Sequence, residues 1–145
     1  MASTVQTYFN FAGQAEEALN FYAGVFNSKV ESIMRWGDMP GADENDGLSD
    51  SDKNLIMNSQ VLILGGHSLM ISDVLESFPE KLNPGNNITM VLTPDTRAEA
   101  DRLFAALAEG GSVRMPLEEA FWGDYYGEVQ DKFGIRWMID TPAKS

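Results

Sequence analysis

Residues 135–140 alternate strictly: Ile135, Trp137 and Ile139 are apolar, while Arg136, Met138 and Asp140 carry a charge, a thioether and a carboxylate. A period of two predicts a strand with one face in a core and the other turned toward something more polar. Asp131-Lys132-Phe133-Gly134 just before it has Asp opening and Gly closing, as a tight turn wants. A second strand pattern precedes that turn within residues 120–130. At the other end of the chain, residues 4–11 are rich in β-branched and aromatic side chains and read as a first strand, broken by Gly13. A helix should start at Ala15, with Glu16 and Glu17 in its positive first turn and Ala15, Ala18, Leu19, Tyr22 and Phe26 as its apolar stripe. Asn27-Ser28 ends it.

Further strands are predicted over 29–36, 55–64 and 68–73, the last two joined by Gly65-Gly66, and over 87–93. A second helix is predicted over 96–109, stopped by Gly110-Gly111. A strand then starts at 113–115, and 116–120 lead out of it. The order strand, helix, three strands therefore occurs twice. Setting Ala15–Ala18 on Arg97–Ala100 lays Thr7 on Thr89 and Phe9 on Val91, and Leu69-Met70-Ile71 falls on Trp137-Met138-Ile139. The expected class is α+β, one domain over 1–145. Unit one is about 4–73, a connector with Pro79, Pro84 and Gly85 covers 74–86, and unit two is about 87–140. Two such βαβββ units can each curl a sheet around a helix and pair into an open cup whose concave face is free for a ligand.

Composition narrows the partners. The 145 residues are 43% hydrophobic, with a formal charge of −12 that works against nucleic acid and anionic membrane surfaces. No cysteine is present, which removes disulfides, thiolate metal sites and cysteine nucleophiles. The first residues, MASTVQTYF, lack a basic start and an apolar run of signal length, and no stretch reaches the ~20 apolar residues of a membrane span. A soluble cytoplasmic protein is expected. Residues 37–53 hold six acids against Lys53, with three glycines and Pro40. They predict a mobile, solvated surface loop, with a lid over a pocket as the second reading. The acids miss the alternating spacing of a calcium loop.

The helix start AEEALNFY (Ala15–Tyr22), the Trp-Gly of FWGDYYG (Phe121–Gly127) and the ending QDKFGIRWMI (Gln130–Ile139) resemble PhnB-like proteins of the vicinal oxygen chelate superfamily, together with glyoxalase I, fosfomycin-resistance proteins and extradiol dioxygenases. The resemblance covers essentially the whole chain and implies a glyoxalase-like fold and a homodimer. Some PhnB-like sequences carry a label as a 3-demethylubiquinone 3-methyltransferase domain, but no glycine-rich strand-to-helix loop for a methyl donor is present. The superfamily's enzymes hold a divalent metal through His and Glu on the first and last strand of each unit. Carried across, those positions fall on Thr7, Met70, Thr89 and Met138, whose hydroxyl and thioether groups hold such ions poorly. The one histidine, His67, sits at a turn and by alternation faces away from Met70.

The cup lining expected on this basis is Thr7, Phe9 and Met70 from unit one and Thr89, Arg136 and Met138 from unit two, with Trp122 and Tyr125 at the rim. Phe11 and Val91 would join it, and Arg35 and Arg114 would stand nearby. Such a lining suits a flat or apolar small molecule, anionic or aromatic, whose charge Arg136 holds. Against this, the methionines could simply fill the cup, with Arg136 paired to Asp140 or Glu128. Trp-Gly-Asp occurs at both 36–38 and 122–124, which reads first as chance or repeat ancestry, with aromatic lips of one cavity and Asp38 or Asp124 as general base as the second reading. The leading expectation is a small-molecule-binding protein with no metal, no cofactor and no assigned catalytic residue. The alternatives are a metal-dependent lyase, isomerase or dioxygenase, and a structural dimer module with a self-filled cup.

Overall fold

A computed structural model describes residues 3–41 and 47–143. The chain divides into two compact units, one running to Asn83 and the other starting at Pro84. In the first, β1 (Thr7–Phe11) is followed by α1 (Ala15–Val25), β2 (Val30–Arg35), the short α2 (Asp50–Asn54), β3 (Ile56–Leu62) and β4 (Ser68–Asp73). The second has β5 (Met90–Leu92), α3 (Arg97–Ala108), β6 (Ser112–Glu119), β7 (Tyr125–Gln130) and β8 (Arg136–Thr141). Each forms one open four-stranded sheet, in the orders β1-β4-β3-β2 and β5-β8-β7-β6. The first strand of each unit lies parallel to its last, and the other pairings are antiparallel. The sequence repeat is thus a repeat of topology.

Helix α1 packs across β2, β3 and β4. Ala15, Ala18, Leu19, Tyr22 and Val25 are buried on it, a stripe at helical spacing. Val25 closes the stripe, and Phe26 caps the helix instead of extending it. Beneath it lie Ile56, Val61, Leu69 and Ile71, each 0% exposed, and full burial of side chains of this size stabilises by roughly 1.5–3 kcal/mol apiece. In the second unit α3 covers β7 and β8, where Ala100, Leu103 and Leu107 meet Val129, Trp137 and Ile139.

Two buried aspartates fix the chain where regular pairing stops. Asp73, at the end of β4, accepts the N–H groups of Gly13 (2.8 Å) and Ala15 (3.0 Å) on Oδ1 and that of Ile56 (3.0 Å) on Oδ2. It therefore caps α1, whose own preceding residue, Gln14, supplies no side-chain cap. Asp131 organises the β7–β8 turn: Oδ1 accepts from Phe133 N–H (2.9 Å) and Ile135 N–H (3.1 Å), and Oδ2 from the Trp137 indole (2.8 Å). Every acceptor site used serves a donor that burial would otherwise leave unpaired.

Several sequence expectations are corrected. The acidic stretch is not all loop, because Trp36–Asp38 form a 3-10 turn and Ser49 caps α2 by accepting the Asp52 N–H. Residues 42–46, the rest of that expectation, lie outside the described residues. β5 is three residues long, not seven. β6 runs through Pro116 to Glu119, tolerated by irregular pairing with β7 between Met115 and Glu118. Among the described residues no helix is long and apolar enough to cross a membrane.

Candidate functional site

Each sheet has one face against its helix and one turned away, and the strand register assigns side chains to them. In the second sheet Trp137, Ile139 and Thr141 of β8 are buried on the α3 side, while Arg136, Met138 and Asp140 are half-buried on the other. Pairing builds rows across that helix-free face. Arg136 stands beside Gln130, and Val91, Met138 and Glu128 form the next row. Asp140, Tyr126 and Glu118 form the third.

The third row carries the strongest electrostatics. Tyr126 donates its hydroxyl to Glu128 Oε2 at 2.9 Å, and the Trp122 ring packs edge-on against Tyr126 at 5.7 Å. Burial first, then the Glu128 hydrogen bond and the charges of Glu128 and Asp140, push the Tyr126 phenol up to about 12. Asp140 lies within electrostatic reach of Asp124 of the β6–β7 connection. Burial and that neighbouring anion raise the Asp140 carboxyl above its usual range. Asp124 is held below its own, chiefly by the hydrogen bond from Asp140, helped by the Ala143 N–H (3.1 Å) and the Trp122 indole. Asp140 Oδ1 is buried without a hydrogen-bonding partner.

The first sheet overturns part of the expected lining. Thr7 pairs with Leu69 and Phe9 with Ile71, on the helix side, whereas Met70 pairs with Tyr8 and Gln60 on the face turned away. Phe9 meets Tyr22 of α1 at 5.9 Å and belongs to the core, as does Phe11. Thr7 Oγ1 is hydrogen-bonded to His67 Nε2 at 2.9 Å, so that histidine is engaged. Thr7 and Phe9 therefore do not share a face with Met70; Tyr8 and Asn10 do. Tyr125 is likewise on the helix side of its sheet, its hydroxyl donating to Asp101 at 2.6 Å and its ring under Arg97 at 4.8 Å. Tyr126 takes the place expected of it. Thr89 precedes β5 by one residue and is half-buried. Arg35 is not a free rim cation: it grips Glu16 of α1 through both terminal nitrogens (2.8 and 3.0 Å) and the Asn54 carbonyl.

The two Trp-Gly-Asp segments do different work. Trp36 donates to the Asp73 carbonyl at 3.2 Å and packs on Phe78, and Asp38 accepts the Arg35 N–H. Trp122 stays 52% exposed beside the third row. A separate open cleft of about 380 Å³ is lined by Arg97, Glu119, Gly123 and Ala143, with Arg97 and Glu119 paired at 2.9 Å. Its one cation is already neutralised, so the helix-free face is the better candidate.

Neither group implied by the resemblance fits. Thr7 and Met70 cannot both reach one ion from opposite faces of a sheet, Met70 and Met138 are soft donors, and among the described residues no three His, Asp or Glu side chains converge to hold a metal. For a methyl-donor nucleotide, the β1–α1 connection offers Gly13 alone, and its N–H and that of Ala15 are taken by Asp73. The β5–α3 connection, residues 93–96, has no glycine.

Comparison with known proteins agrees with this architecture. Residues 3–140 match the sequence model of the family described as 3-demethylubiquinone-9 3-methyltransferase. Protein YjdN of Escherichia coli is 30% identical over 140 residues, covering 92% of each chain. Protein PA1353 from Pseudomonas aeruginosa superimposes with a TM-score of 0.82 at 33% identity, over 99% of this chain and 100% of that one. A Bacillus cereus structure, described as a putative 3-demethylubiquinone-9 3-methyltransferase and PhnB protein, gives 0.75 at 27% over 97% and 100%. A glyoxylase/bleomycin resistance protein/dioxygenase domain from Frankia shares the fold, with a TM-score of 0.67 at 11% identity over 100% and 95%.

Proposed function

This chain belongs to the PhnB-like family described as 3-demethylubiquinone-9 3-methyltransferase, with a glyoxalase-like fold, and from that membership we propose that it binds a small organic molecule, without a metal, on the helix-free face of its second sheet. The observation that carries the reading is Arg136. It is half-buried on that face, its row neighbour Gln130 is uncharged, and it makes no ion pair among the described residues. The pairing with Glu128 that would have silenced it is not made; Glu128 accepts from Tyr126 instead. Met138 and Val91 supply an apolar floor next to the guanidinium, and Trp122 and Tyr126 supply ring faces further along. From Arg136 to Asp140 the strand spans roughly 13 Å. This suits an aromatic or apolar body with one carboxylate or phosphate at the Arg136 end and an uncharged polar group near Tyr126.

Titration calorimetry with benzoate and naphthoate derivatives tests this. Removing a charged hydrogen bond worth about 1.5–3 kcal/mol in R136A should weaken binding roughly 10- to 100-fold. R102A, which removes the same charge from α3, where Arg102 pairs with Glu99, should leave it unchanged. Equal affinity in R136A, or binding that requires stoichiometric Mn²⁺, Ni²⁺ or Zn²⁺, would overturn the proposal and favour a metal-dependent enzyme.

A further inference from the structure

The β6–β7 connection leaves Phe121 99% exposed and its neighbour Trp122 half-exposed. Single apolar side chains in water are ordinary, but contiguous ones mark a surface that meets something. These two do not hang on a loose loop. The Ala120 N–H donates to the Asp124 carbonyl at 2.7 Å, the Gly123 N–H to the Ala120 carbonyl at 2.9 Å, and Asp124 Oδ1 accepts the Ala143 N–H at 3.1 Å. Gly123 makes the turn at φ +99°, which a β-carbon would strain. The rings held this way form a corner. Phe121 meets Trp122 at 4.9 Å between centroids and 88° between planes, and Trp122 meets Tyr126 at 5.7 Å and 68°. The Tyr126 hydroxyl is tied to Glu128, which fixes the third ring.

The charge around this corner has one sign. Tyr126 lies in a cross-strand row with Glu118 of β6 and Asp140 of β8. Glu118 is exposed and makes no hydrogen bond or ion pair among the described residues. Asp140 Oδ1 is buried with no hydrogen-bonding partner. Glu119 is already paired with Arg97, and Arg136 sits four residues back along β8. We propose that the corner of Phe121, Trp122 and Tyr126 binds the quaternary ammonium group of a small molecule, with Glu118 as its counter-charge. Ring faces attract a cation that comes within about 6 Å of their centroids. A quaternary ammonium has no N–H to satisfy, so it needs ring faces and a negative field and no acceptor in contact. It would also favour the Asp140 carboxylate through space, where no hydrogen bond is made. A bare metal ion would need converging His, Asp or Glu side chains, and the described residues offer no group of three. A neutral apolar ligand would leave Glu118 without a use. The site shares Trp122 and Tyr126 with the face proposed above but lies at the end away from Arg136 and does not rest on that reading. Tyr126 gives its hydroxyl end to Glu128 and its ring to Trp122, so the two ends of one side chain serve different neighbours.

Tetramethylammonium and choline chlorides, titrated into ¹⁵N-labelled protein against sodium chloride of equal ionic strength, test this. The Trp122 indole signal should shift saturably in ¹H–¹⁵N spectra. The Trp36 indole, bonded to the Asp73 carbonyl, should stay still and report an intact fold. The neutral isostere of choline, 3,3-dimethylbutan-1-ol, should bind about fivefold more weakly, because it keeps the shape and loses the charge. W122A, followed through the Tyr126 amide, should lose a similar factor. E118Q should weaken choline and leave the alcohol unchanged, a split that a merely structural role would not produce. Equal affinity for choline and the alcohol, no saturable shift with either salt, or choline binding that survives W122A would overturn the inference. R136A should bind choline as the wild type does, so this proposal and the one built on Arg136 fail separately.

Discussion

At the scale of single residues, Asp73 is the clearest case of a side chain doing several backbones' work. It is 2% exposed and satisfies three N–H groups from two different segments. D73A would strand those donors in the interior, and chemical denaturation should show a loss of ~2–4 kcal/mol, with D73N losing less because one acceptor oxygen remains. The sequence shows an acid closing a strand but not what it holds, since its partners lie up to 60 residues away. Phe9 lies on the helix side and not on the expected face for a different reason. The large apolar residues of β1 fall on odd positions, which by the logic applied to Ile135, Trp137 and Ile139 puts them under a helix. A ligand position at Thr7 would turn them to the other face, against their pairing with Leu69 and Ile71. The pair Tyr125-Tyr126 is ambiguous by composition, and only register separates the residue on Asp101 from the residue on Glu128.

At the scale of elements, alternation is legible where one parity is mostly apolar, as in β8 and β4, and the element boundaries are not. β6 continues through Pro116 because irregular pairing lets the strand pass a residue with no N–H to give. Gly127 shows how tightly α3 sits on β7: a Cβ there would come within 2.8 Å of both the Phe104 ring and the Leu117 backbone. The ring could shift, but the Leu117 backbone is held between the Met115 and Glu118 pairings of β6 with β7. G127A should therefore cost about 1–3 kcal/mol, measured as a lowered denaturation midpoint at unchanged m-value. The Tyr-Tyr-Gly string carried this hint, since glycine inside a strand marks a close approach, but nothing in the sequence names Phe104.

At the scale of the whole molecule, the duplicated βαβββ order was legible because two helix patterns and one repeated strand ending anchor it, whereas the acidic insertion hides the repeat residue by residue. The duplication is less symmetric than it looks at the two helix starts. Helix α3 is capped by Thr96, whose hydroxyl accepts the Glu99 N–H three residues on. Helix α1 waits for Asp73, 58 residues away from Ala15. A cap that is close in sequence is present as soon as the first turn forms, while a distant one arrives only after a long loop has closed. Refolding followed by pulsed hydrogen exchange should therefore protect the amides of α3 before those of α1. Simultaneous protection would show that the caps do not set the order. Two halves built to one plan would then assemble on different clocks, the second from its own local instructions and the first only once its far strand has come home.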